Sequence, residues 1–277
     1  GLYPYSTGDM HNTTIFRKTR PDAITISQLF KNNGYYVARV SKIFHMGVPG
    51  GIEVDGDGRD HDGGNGADDA ASWTERFNSP GPEWKAPGIG ETLEGNPDGK
   101  RPVVGGNTFV VVEADGDDMV HSDGKTAAKA VELINKHRDE SFWLGVGFVR
   151  PHVPFVAPKK YFDLYPVEKI QVPIVPEGYL KTIPKAAAKT LRAKKEQNNI
   201  KSEVARQAIQ AYHASISFAD AQIGRILKAL EDTGLDKSTI VVFTSDHGYH
   251  MGEHGHWQKR SLLDQGARVP LIIAALG

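Results

Sequence analysis

Three times along this chain a segment of helical periodicity leads into a short apolar run that stops at charged or titratable residues. The last occurrence is the clearest. Ile209, Tyr212, Ile216, Ala219, Ile223, Ile226 and Leu230 recur at spacings of three and four, an apolar stripe on a helix spanning residues 204–233. Phe218 and Asp220 fall off that stripe. Gly234 ends the helix, and Thr239 to Phe243 follows as an apolar, β-branched run that reads as a buried strand. It ends in Thr244-Ser245-Asp246-His247-Gly248. Earlier, Lys125 to Arg138 reads as a helix with Ala127, Val131 and Ile134 on one face. It leads to Phe142 to Val149, a strand covered on both faces that runs into Arg150-Pro151-His152-Val153-Pro154. Earlier still, Asp22 caps a short helix carrying Ile26, Leu29 and Phe30, and Gly34 closes it. The strand Tyr35 to Val40 then ends at Ser41-Lys42-Ile43-Phe44-His45. Val269 to Leu276 reads as a further strand. Alternation of this kind predicts an α/β fold, a mostly parallel sheet with helices on both faces. Right-handed crossovers bring successive carboxyl ends to one rim. Lys42, His45, His152, Asp246, His247 and Lys259 are therefore expected to converge there, although they lie far apart in the chain.

Between these units the chain is less regular. Residues 47–124, rich in Gly, Asp and Pro, read as long loops with one hairpin around Thr108 to Glu113. Loops of this length in a compact domain are usually functional, and the part around Asp68, Asp69 and Trp73 is expected to wall a ligand cleft. Asp55 to Arg59 opens like a calcium loop, but Arg59 and Gly66 stand where ligand oxygens are needed. Gly63 to Asp68 is similar to one copy of a calcium-binding nonapeptide, and a single copy cannot stack. Residues 155–203, rich in Pro and Lys, read as an irregular excursion over the surface. The lysines from Lys181 to Lys195 read as a solvated face, with steering of a polyanion as the other reading.

Bulk properties exclude several classes. A net charge of −1 over 277 residues gives no field favouring nucleic acid or membrane. No apolar run approaches the ~20 residues that span a bilayer, and nothing near Gly1 reads as a signal peptide. With no cysteine there is no disulfide framework, thiolate metal site or cysteine nucleophile in these residues.

The densest chemistry lies between Thr239 and Lys259. Four of the eleven histidines fall from His247 to His256, with Asp246, Glu253 and Lys259 among them and glycines at 248, 252 and 255. In open α/β sheets ligands sit just beyond the carboxyl ends of strands, which is where Asp246 and His247 stand. A solvated, histidine-rich surface loop is the competing reading.

The order and spacing of four pieces in this part of the chain resemble the sulfatase family. They are Ser245-Asp246-His247-Gly248, Gly252-Glu253-His254-Gly255, Trp257 with Lys259, and Val269-Pro270-Leu271-Ile272. The likeness is closest to the iduronate sulfatase branch, in which His and not Asn follows the metal-binding Asp. Arg150 to Phe155 resembles the family segment whose His reaches the sulfate ester, and Ser41 to His45 the one whose Lys and His face the sulfate. The resemblance covers nearly the whole chain. It implies the alkaline phosphatase-like fold, one calcium ion at Asp246 and His247, a sulfated saccharide as substrate, and a periplasmic, extracellular or lysosomal setting. It also implies a formylglycine nucleophile within Cys/Ser-x-Pro/Ala-x-Arg and a pair of Asp metal ligands, and neither motif occurs in residues 1–277. Gly1-Leu2-Tyr3-Pro4 matches the end of the nucleophile signature, so the nucleophile is expected shortly before Gly1. Residues 1–277 then read as a partial sulfatase catalytic domain without its N-terminal strand and C-terminal subdomain, inactive alone.

The named side chains suit a multiply charged ester. Asp246 supplies oxygen to a hard cation such as calcium, and His247, a softer ligand, either joins it or donates to the ester. Lys42 and Lys259 act as point charges on sulfate oxygens. His45 or His152 serves as acid for the leaving oxygen. Two other readings stay open: a phosphate-ester hydrolase of the same superfold with two zinc ions, and a non-catalytic binder of sulfated glycans. Metal content and the upstream coding sequence discriminate among them.

Overall fold

The computed structural model describes residues 3–8, 16–44, 68–92, 109–191 and 200–275. The strands in them are Tyr36–Ser41 (β1), Glu75–Phe77 (β2), Gly88–Thr92 (β3), Val110–Ala114 (β4), Phe142–Gly147 (β5), Phe155–Pro158 (β6), Val241–Thr244 (β7) and Leu271–Ala274 (β8). They belong to two compact units. The first is made of Gly1–Lys85, Gly116–Arg150 and Ala219–Leu235, the second of Ala86–Asp115, Pro151–Phe218 and Asp236–Gly277.

In the first unit β1 lies between β2 and β5 in a wholly parallel sheet, with Ala38 opposite Leu144 and Glu75. All six residues of β1 are buried. The helix Ser122–Lys136 sets Leu133 against Tyr36, Ala38 and Val40, and Phe142, Leu144 and Val146 pack around them. Burial of side chains of this size contributes about 1.5–3 kcal/mol each. The helix Ile26–Asn32 is shorter than expected, and its cap is Thr25 and not Asp22: Thr25 Oγ1 accepts from the Gln28 amide at 3.0 Å. A cap must stand directly before the first helical residue with extended backbone, and Thr25 does.

Polar residues complete this core. Arg39, 1 % exposed in the central strand, reaches Asp68 (Nε–Oδ2 2.7 Å), the Ser41 carbonyl and Asn78 Oδ1. Asp68 also accepts from Trp73 Nε1 at 2.9 Å, and Asp69 holds Arg17 and Ser72. Asp68, Asp69 and Trp73, expected to wall a cleft, are thus scaffold: their polar groups are turned inward to neutralise and fix two arginines.

In the second unit β4 pairs antiparallel with β3 and parallel with β6. The expected hairpin strand is present, and its antiparallel partner is Gly88–Thr92. Gly88 has a φ of +128°, and a Cβ there would lie 2.3 Å from the Glu113 carbonyl oxygen, so the pairing demands glycine. Strand β6, buried throughout, falls where an irregular excursion was expected. Pro154 precedes this strand and Pro158 ends it, and an edge position tolerates proline because no ladder donor is needed on the outer side.

Strands β7 and β8 form a two-stranded antiparallel ribbon. The strand expected to be buried is not: Val242 is 59 % exposed and Ile273 61 %. A continuous apolar run signals that both faces can be covered, but covering needs neighbours, and among the described residues only β8 pairs with β7. The helix Ser202–Thr233 is 32 residues long. Phe218, off the stripe in sequence, is buried against Tyr161 at 5.4 Å, whereas Ile216 is 40 % exposed. The buried line runs through Ala208, Ala211 and Ala214, whose small size admits close packing. Farther along, Gln222 Nε2 donates to Asp118 and Arg225 to the Gly124 carbonyl. Among the described residues no helix is long and apolar enough to cross a membrane.

Candidate active site

Strand β7 runs into Ser245 to Gly248, where the backbone bends at Asp246. Ser245 Oγ donates to the His247 carbonyl at 3.0 Å. Gly248 donates its N–H to the Gly266 carbonyl, and a Cβ on it would lie 2.1 Å from the Gln265 carbonyl oxygen. Only glycine permits that approach, which seats the bend against the short helix Asp264–Ala267.

The bend leaves the Asp246 side chain 80 % exposed, with Oδ2 3.6 Å from His247 Nε2. His247 Nδ1 lies 2.8 Å from the Gly248 carbonyl. A carbonyl only accepts, so Nδ1 carries the proton and, in the neutral ring, Nε2 presents a lone pair towards the carboxylate. Two acceptors facing each other are satisfied by a shared cation or by a proton. The donor set suits a divalent cation, yet two ligands fall short of the six to eight that calcium takes. Among the described residues no group of three His, Cys, Asp or Glu side chains gathers as a metal site.

Lys259 belongs to the same unit and feels this carboxylate. Burial holds its ammonium below the ordinary 10.5, and the charge of Asp246 opposes the shift. A half-buried cation with weakened hydration is suited to meeting an anion.

The other histidines of the stretch are structural. His250, fully buried, has Nε2 2.8 Å from Ser261 Oγ, and burial and the neighbouring His256 pull its pKa down to about 4. His254 spans Tyr179 (2.5 Å) and Gln265 (3.1 Å), and His256 Nδ1 lies 3.3 Å from the Leu191 carbonyl. They fasten the loop between Asp246 and Lys259. Clustering of histidines in sequence did not distinguish this role from a ligand role.

His152 also lies in the second unit, its Nδ1 2.6 Å from the Val153 carbonyl. That carbonyl keeps the proton on Nδ1, so acid–base chemistry at this ring runs through Nε2. Lys42 lies in the first unit, where its N–H meets the Gly147 carbonyl at 3.1 Å. His45 lies outside the described residues. The residues brought together are thus Asp246, His247 and Lys259.

Sequence reading missed the anchor of the strand end before His152. Asp123, 1 % exposed, accepts the N–H groups of Val149 and Arg150, each at 2.8 Å. Burial pushes its carboxyl up to about 6, against the two hydrogen bonds and the charge of Lys42. Arg150 pairs with Glu83, both buried, and burial pulls its guanidinium down to about 9. In sequence Asp123 is one more acidic residue in a first helical turn, so no local signal singles it out.

Comparison with known proteins identifies the family and the fold. The family model described as Sulfatase matches residues 1–277. A "Sulfatase" of Formosa agariphila is 33% identical over 288 residues, covering 99% of this chain and 52% of the relative. The iduronate 2-sulfatase of Homo sapiens is 34% identical over 268 residues, covering 91% of this chain and 45% of the relative. The chain thus spans about half the length of the curated relatives it matches. Among solved structures, a phosphonate monoester hydrolase of Agrobacterium radiobacter aligns with a TM-score of 0.70 at 19% identity, over 99% of this chain and 56% of the other. At that identity the likeness shows the fold alone, the α/β architecture of alkaline phosphatase-like enzymes.

Proposed function

Because the chain belongs to the sulfatase family along its whole length, we propose that it hydrolyses sulfate esters of sulfated saccharides in a calcium-dependent enzyme. The observation that carries the reading is the arrangement of Asp246, His247 and Lys259, a carboxylate and an imidazole lone pair presented together near a half-buried ammonium. Relatives named as an arylsulfatase of Clostridium perfringens and a choline-sulfatase of Rhizobium meliloti, each 34% identical over just over half of this chain, support the same reaction class.

In this reading Asp246 and His247 hold part of the calcium shell. The cation supplies positive charge against which sulfate oxygens are oriented and polarised. Lys259 meets a sulfate oxygen on which negative charge grows, and partial burial strengthens that contact relative to water. Lys42 is assigned as a second cation on the sulfate. His152 delivers a proton from Nε2 to the leaving oxygen, and His45 is the other residue assigned to that step. A saccharide in an extracellular, periplasmic or lysosomal setting completes the proposal.

The test is Asp246→Ala in the full-length protein, with bound metal measured by mass spectrometry and turnover measured on a sulfated disaccharide. Calcium should fall to background and turnover by about 10²–10³ or more. Retained calcium and turnover refute the site. Two bound zinc ions with phosphate-ester turnover refute the reaction class.

A further inference from the structure

The helix Lys185–Leu191 and the turn before it carry an unusual local charge. Residues 181–201 contain seven basic side chains and a single carboxylate, Glu196, in a chain whose net charge is −1. Leu180, Lys181, Ile183, Lys185, Ala188 and Lys189 line a depression of about 450 Å³. Lys185 and Lys189 stand one helical turn apart on the same face, where like charges repel. All three lysines are exposed, and among the described residues none is paired with a carboxylate. Three exposed cations thus stand around the apolar side chains of Leu180, Ile183 and Ala188.

This depression is fastened to the candidate site. Tyr179, just before it, has its hydroxyl 2.5 Å from His254 Nδ1, and Leu191, which ends its helix, has its carbonyl 3.3 Å from His256 Nδ1. Both histidines belong to the loop between Asp246 and Lys259, in the same compact unit.

We propose that Lys181, Lys185 and Lys189 form a subsite for a second sulfate group of a polysulfated saccharide, with the apolar face of a sugar ring resting on Leu180, Ile183 and Ala188. The choice of ligand rests on the sulfatase reading; the anion site itself does not. Lysines hold sulfate as point charges and tolerate several ring orientations, which suits a polymer presenting sulfates at variable spacing. Binding there holds the chain next to the loop that meets the scissile ester.

The experiment is calorimetric titration of the protein with a heparin tetrasaccharide and with the same tetrasaccharide fully desulfated, at low and at physiological salt. It is repeated with K181Q/K185Q/K189Q and with the charge-matched control K18Q/K136Q/K237Q, whose lysines are exposed elsewhere. The first triple variant should bind the sulfated probe roughly tenfold more weakly, the sum of three exposed charge contacts, and with a shallower salt dependence. The control should bind as the native protein does. Circular dichroism of both variants guards against misfolding. Equal binding by the first variant, equal loss in the control, or equal binding of the desulfated probe would each overturn the subsite. No turnover enters this measurement. A protein that binds through the three lysines but releases no sulfate breaks the catalytic reading alone, and one that releases sulfate but binds independently of them breaks the subsite alone.

Discussion

Replacing Asp123 by asparagine separates two opposed effects that the native carboxylate combines. The side chain is 1 % exposed and accepts two backbone N–H groups at 2.8 Å, from Val149 and Arg150. Burial moves its carboxyl from the ordinary 3.8 to about 6, which corresponds to about 3 kcal/mol against the ionised form at neutral pH. The folded-state value is raised, so the folded protein binds the extra proton between the two values. The associated stability is fully present below pH ~4, falls as pH rises through about 6, and is gone at pH 7. Asparagine cannot ionise. Its carbonyl accepts one N–H while its amide group faces the other, and that lost bond costs about 1–3 kcal/mol. At pH 4 the native carboxyl is protonated, but its hydroxyl oxygen keeps a lone pair for the second N–H, which the asparagine amide nitrogen lacks, so Asp123→Asn should be less stable there by about 1–3 kcal/mol. At pH 7 the deficit should vanish or reverse, because the native protein has by then lost about 3 kcal/mol. Urea unfolding of both proteins at the two pH values reads this directly, and the difference between them cancels every other titrating group. An equal deficit at pH 4 and pH 7 would show that Asp123 is ionised in both, and that the two hydrogen bonds outweigh burial.

Other outcomes follow from the same geometry. Lys259→Ala should lower kcat by about 10²–10³ with a smaller change in KM, since its charge meets charge that develops in the reaction; an unaltered kcat makes it a mere loop cation. His152→Ala should abolish the alkaline fall in activity, because an imidazolium acid is lost as pH rises, and lower kcat by about 10²–10⁴; survival of that limb moves the acid to another residue. Arg39→Met should destabilise the first unit by about 3 kcal/mol, since the buried Asp68 carboxylate is then left with the more distant Arg76 (3.8 Å) and the Trp73 N–H. Adding Asp68→Asn should recover part of that loss, and a single variant as stable as the native protein contradicts the pairing.

What was legible in the sequence is what local pattern controls. The helix and strand segments around β1 and β5 and the long helix announce themselves because a 3.6-residue stripe and an apolar run are written in consecutive residues. Asp246 and His247 were legible as a candidate site for the same reason: they stand directly after an apolar run, and that order needs no tertiary information. Their mutual geometry was not. That His247 presents Nε2 to Asp246 depends on which carbonyl takes its Nδ1 proton. Three neighbouring histidines became structural only through Tyr179, Leu191 and Ser261, which lie up to 75 residues away in the chain.

The chain's own order of residues thus determined where helices and strands alternate and which polar groups end them, because each depends on neighbours within a turn or two. Tertiary structure alone decided coverage and pairing. It exposed β7 and β8, buried Phe218 in place of Ile216, and made a strand of residues flanked by prolines. It also turned Asp68 and Asp123 into internal anchors. Burial and buried ion pairs depend on what a distant segment brings to the same place, and no local periodicity carries that information.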